Sequence, residues 1–131
     1  MFALALAWGH ASHAAETGPS RTPDAETSAP AAEEDIPEPP SFPRDVMPTL
    51  GRYCEPCHGA RQQHGGLRLD GYDGLMRGGE QGPAIVPGDP QRSLLIAKIE
   101  RRHKPAMPPR KKLPAPLITK IRNWVAAGAT F

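Results

Sequence analysis

Cys54-Glu55-Pro56-Cys57-His58 constrains this chain more than any other stretch. Two thiols separated by two residues, with a histidine directly after, form the attachment pattern of a c-type haem. Each thiol can add to one vinyl group of the ring as a thioether. The His58 imidazole then lies under the ring as the proximal iron ligand. A chain holding such a group must fold around it, so residues from about 41 to 131 are expected to wrap one haem and to move electrons. These two thiols are the only cysteines of the protein, which leaves none for a structural disulfide.

The length of 131 residues suits one small domain, whose modest core a covalent haem would enlarge. Seventeen prolines and thirteen glycines imply short elements and long connections. Charge is unevenly spread. Residues 15–40 carry seven acids and one base, Arg21, whereas residues 41–131 carry fifteen Lys and Arg against seven Asp and Glu. A formal +2 for the whole chain thus hides an acidic segment and a basic domain.

Residues 1–15 read as a signal peptide. Phe2 to Trp8 is a short apolar run, and small residues near Ala14 and Ala15 suit cleavage. The basic start of such a peptide is missing, as an upstream start would explain. The run is too short to span a bilayer. Residues 16–40 are rich in Ala, Pro, Ser, Thr and acids, with Ile36 as the one large apolar side chain. Such a stretch cannot bury enough surface to offset its ordering entropy, and a disordered Pro- and acid-rich linker is expected there. An exported, periplasmic location follows from the signal peptide and from the attachment motif.

From Ser41 the pattern becomes helical. Ser41 can cap a helix and Pro43 fits its first turn. Val46, Leu50, Tyr53, Cys54 and Cys57 lie on one helical face, with Pro48 as a kink, so the spacing predicts a helix that delivers both thiols and His58 to one side, ending at Gly59. Residues 59–89 should be mostly loop, with a short helix around Tyr72–Arg77 and glycines that let backbone lie against a flat ligand. Asp89 and Pro90 form a helix start, and that helix is expected to run to about Arg102 on Leu94, Leu95, Ile96 and Ile99. A proline-bounded polar loop comes next. A last helix, from about Ala115 to Ala127, carries Leu117, Ile118, Ile121, Trp124 and Val125, with Gly128 ending it. Trp124 is expected to serve packing.

An electron-transfer haem needs a second axial ligand opposite His58. Met47, Met76, Met107, His64 and His103 are the candidates. Met107 is favoured because Pro105, Pro108 and Pro109 stiffen its loop, which helps a weak thioether ligand stay on iron. Met47 and Met76 lie in helical stretches, where gap-filling is the ordinary role. His103 is the rival, beside Arg102 and Lys104, and His64 is weaker.

The stretches CEPCHG, GGLRLDGYDGLMRGGEQGPAIVPGDPQRSLLIAKI, MPP and IRNWVAAGA, in that order, resemble the planctomycete-type cytochrome c domain, a variant of the monohaem class I c-type cytochromes. The resemblance covers roughly residues 42–131. It implies an all-α, haem-wrapping fold with the first and last helices crossing. It implies haem attachment on Cys54 and Cys57 and axial ligation by His58 and Met107. In that family the domain is often one part of a much larger chain, which leaves the redox partner open.

With both axial positions filled, the expected function is one-electron transfer and not catalysis, whether free-standing or as the electron-accepting subunit of a dehydrogenase complex. Lys98, Arg101, Arg102, Lys104, Arg110, Lys111 and Lys112 cluster around Met107 and suit docking to an acidic redox partner. No aromatic residues interleave with these bases, which argues against nucleic acid. A monomer without a transmembrane span is expected. The competing reading is a haem sensor in which Met107 is displaceable. A dithiol redox pair and a zinc site are weaker, because His58 follows the thiols directly and no further ligands are suitably spaced.

Overall fold

Residues 38–131 are described in the computed structural model of the protein. The expected signal peptide and the expected linker up to residue 37 lie outside the described residues. The first helical turn, Phe42–Val46, is tied at its start by Asp45, not by the Ser41 hydroxyl as expected. The Ser41 N–H donates to Asp45 Oδ2 (2.9 Å), and the Asp45 N–H donates back to the Ser41 carbonyl (2.9 Å). A side-chain bond from Arg44, together with the Ser41 N–H, holds the Asp45 carboxyl below its ordinary range.

This turn is a π-helix, with the Met47 N–H donating to the Phe42 carbonyl, and it leads into α1, Met47–Tyr53. Pro48 explains the switch. It has no N–H to give the Arg44 carbonyl, so the regular ladder cannot run through. The anticipated kink is therefore a change of register. The expectation that α1 carries the motif through His58 is corrected, because the helix ends at Tyr53 and residues 54–57 continue as turns. Pro56 is the reason: it cannot donate to Arg52 and disfavours helical geometry at Glu55. The Glu55 N–H reaches back to Leu50 (2.9 Å), and the His58 N–H to Cys54 (2.9 Å).

The short helix α2 spans Tyr72–Arg77, where expected. The next, α3, is only Leu94–Ile99, shorter at both ends than the predicted span from Asp89 to Arg102. Buried Ser93 sets its start. The Ser93 Oγ accepts from the Val86 N–H (2.9 Å) and donates to the Asp89 carbonyl (2.8 Å), which fixes Ser93 in extended geometry. Asp89 caps a separate turn, accepting from the Arg92 N–H (3.0 Å). At the other end the chain reverses through Arg101 at φ 64°. The Arg102 N–H bonds the Ala97 carbonyl (2.8 Å) and the Arg101 N–H the Lys98 carbonyl (3.1 Å), a Schellman closure.

Helix α4, Ala115–Ala126, matches its predicted span within a residue. Ile121, Trp124 and Val125 are fully buried, while Leu117 and Ile118 pack at the core's margin. Trp124 closes the domain: its ring lies 5.7 Å from Phe42 and 6.4 Å from Tyr72, and its Nε1–H donates to the Thr130 carbonyl (2.6 Å). The first and last helical segments thus meet. Glu100 ties α3 to α4 by accepting from Arg102 and Arg122 (2.7 Å each). Among the described residues there is no β-strand, and the all-α expectation holds.

Candidate functional site

A cavity of about 520 Å³ lies between the end of α1, the glycine-rich loop, α3 and the Met107 loop. That size is in the usual range for cofactor sites. Leu67, Leu69, Ala84, Leu95 and Ile99 supply apolar walls, and Pro105, Pro108 and Pro109 close one side. Gly65, Gly79 and Gly82 present bare backbone to it. Cys54, Cys57, His58 and Met107 all line this one cavity.

The turns after α1 split the two thiols. Cys54 is buried and Cys57 exposed. Burial, reinforced by the neighbouring Cys57, pushes the Cys54 thiol up to about 11. A dithiol redox centre needs the opposite, a stabilised thiolate. Burial also lowers the pKa of His58, against the carbonyls of Leu67 and His64, so the ring is neutral at pH 7 and keeps a lone pair for a metal. Its Nδ1 is buried and has no hydrogen-bond partner. An orphaned ring nitrogen of this kind marks a functional histidine more than a packing one.

Met107 is half-buried, and its N–H donates to the Lys98 carbonyl at the end of α3 (3.1 Å). Met47 and Met76 pack against the core and do not reach the cavity. The two candidate histidines exchange rank. His103 is exposed and off the cavity, whereas His64 lines it, 3.1 Å from Gln62 Oε1 and with its ring 6.4 Å from that of His58. Lys98 lines the cavity, and Lys104, Arg110, Lys111 and Lys112 are exposed on the segments that flank its wall prolines in the chain. Arg102 is engaged by Glu100 and adds less free charge than its sequence position suggests.

Tyr53, expected on the same helical face as the thiols, also lines the cavity, as does Lys98 from the basic cluster around Met107. A second cavity of about 370 Å³, lined by Arg68, Asp70, Tyr72, Asp73 and Arg77 among others, holds no thiol, imidazole or thioether, and Asp70 already pairs with Arg68. Among the described residues no three His, Cys, Asp or Glu converge as a metal cluster would require. Two thiols, a neutral imidazole and a thioether around one apolar cavity do fit a covalently held haem.

Residues 54–111 match the family described as Planctomycete cytochrome C, a segment that runs from Cys54 past Met107. No curated protein and no solved structure matches the chain.

Proposed function

A planctomycete cytochrome c domain is a haem-carrying electron-transfer module, and on that premise we propose that this chain is a one-electron carrier holding a single covalent haem c. The convergence of Cys54, Cys57, His58 and Met107 on one cavity carries this reading. In it, Cys54 anchors the group from inside and Cys57 from the rim. His58 and Met107 would hold its iron. When bound, the haem supplies a one-electron iron couple. The chain's share would be to fix these two side chains and to exclude water with its leucine, isoleucine and proline walls. Lys104, Arg110, Lys111 and Lys112, exposed beside the wall prolines in the chain, favour an acidic redox partner. Work outside the cytoplasm, in the periplasm, suits both the attachment chemistry and the apolar start of the chain.

The test uses protein made with haem-attachment machinery. Intact mass and a pyridine haemochrome should report one haem per chain, and Cys54→Ala with Cys57→Ala should lose it. The reduced protein should bind carbon monoxide only after Met107→Ala. A chain without haem would overturn the reading. Ready carbon monoxide binding by the unaltered protein would make it a ligand-binding module instead.

A further inference from the structure

Arg101 occupies a position that glycine ordinarily takes. It is the left-handed residue that reverses the chain after α3, at φ 64°, and a side chain with a Cβ is disfavoured there. The chain then enters the proline-rich loop from Pro105 to Pro109. Its prolines have no N–H, so the loop has few donors with which to bond itself, while its carbonyls still need partners. Those partners come from the end of α3. The half-buried Arg101 Nη1 reaches the Pro108 carbonyl at 3.5 Å, and Lys98 Nζ the Pro105 carbonyl at 3.4 Å. The Met107 N–H, between them, donates to the Lys98 carbonyl at 3.1 Å. Three contacts from one helix end thus bracket the methionine that lines the cavity.

We propose that Arg101 is a positioning residue for Met107: it keeps an unfavourable backbone conformation because its guanidinium holds the Pro108 carbonyl, and with it the Met107 sulfur in the cavity. The inference rests on Met107 being an iron ligand. It gives the strained residue a task that a glycine, the easier choice for the turn, could not perform. Among the described residues, Arg101 and Lys98 are the nearby bases whose side chains hydrogen-bond carbonyls of this loop.

The experiment is an imidazole titration of the ferric haem protein, following the thioether-to-iron charge-transfer band, with thermal unfolding in parallel. Arg101→Gly should unfold at the same or a higher temperature, since the strain is gone. It should nevertheless lose Met107 to imidazole at about five-fold lower concentration, the scale of one hydrogen bond. Arg101→Ala should lose it equally easily while melting below Arg101→Gly. Arg101→Lys, which donates from a single nitrogen without the guanidinium fork, should recover part of the difference. If Arg101→Gly and Arg101→Ala titrate like the unaltered protein, Arg101 has no hold on Met107 and the proposal fails. A drop in melting temperature for Arg101→Gly in step with the imidazole effect would mean general loosening, which also overturns it. If instead Met107→Ala leaves the unaltered spectrum intact, Met107 is not a ligand and the underlying reading falls.

Discussion

Gly79→Ala should damage both the fold and the site, and the size of the effect is set by the backbone around it. A Cβ at Gly79 would stand 2.5 Å from the Gly65 carbonyl oxygen and 3.1 Å from Leu67 Cβ. A carbon and a carbonyl oxygen rest at about 3.3 Å or more, so something must move by about 0.8 Å. The obstacle is backbone, and the same carbonyl accepts from the Glu80 N–H (2.8 Å). Displacing it weakens that bond, worth about 1 kcal/mol. Forcing extra volume into a packed site adds about 1–3 kcal/mol. The expected loss is about 2–4 kcal/mol, a large part of the roughly 5–15 kcal/mol that holds a domain together. Gly71→Ala is the control. Its backbone is extended, at φ −174°, and a Cβ there meets no atom within 4 Å, so a change of about 0.5 kcal/mol or less is expected. Urea unfolding of both variants measures the difference. Because Gly65 and Gly79 both line the cavity, the haem spectrum should change with Gly79→Ala alone. Equal stabilities for the two variants would refute the close approach.

Trp124→Phe should cost about 2 kcal/mol in thermal unfolding, since it leaves a space in the core and strands the Thr130 carbonyl; an unchanged melting point would contradict the packing. Arginine partners hold the carboxyls of Asp45, Asp70 and Asp89 below their usual range, and hydrogen bonds from Arg102 and Arg122 overcome burial to do the same for Glu100. These groups bind fewer protons folded than unfolded, so their contribution is complete above about pH 4.3 and fades as pH falls below it; urea midpoints at pH 5 and pH 3 should differ in that direction. Electron transfer with an acidic redox protein should slow steeply as salt rises, and Lys111→Glu with Lys112→Glu should flatten that slope. A slope untouched by those charges would remove these bases from the docking surface.

Helices α2 and α4 were legible because their signals are local: apolar residues at helical spacing, ended by Gly78 and Gly128. The start of α3 was not, because Ser93 takes its geometry from bonds to Val86 and Asp89 across a loop. Pro56 was visible, yet an apolar spacing that continued through Cys57 outweighed it. At the site, Cys54, Cys57, His58 and Met107, singled out by residue type and order, line one cavity. The ranking of His64 and His103 could not, since it depends on which loop folds over the cavity. Arg101 gave no hint either, for nothing in the local sequence announces a left-handed arginine.

The depth of Cys54 has a consequence for how the protein is made. With its thiol raised to about 11, roughly one folded molecule in ten thousand would carry the reactive thiolate at pH 7, against roughly one in thirty for a free cysteine. A more basic thiolate is also a better nucleophile, which offsets part of that loss and leaves the buried thiol slower by roughly twentyfold. If Cys54 holds the haem, attachment is faster before the chain buries this thiol, and the closed domain then shields the bond. On that reading the favoured order of maturation is attachment first, folding second.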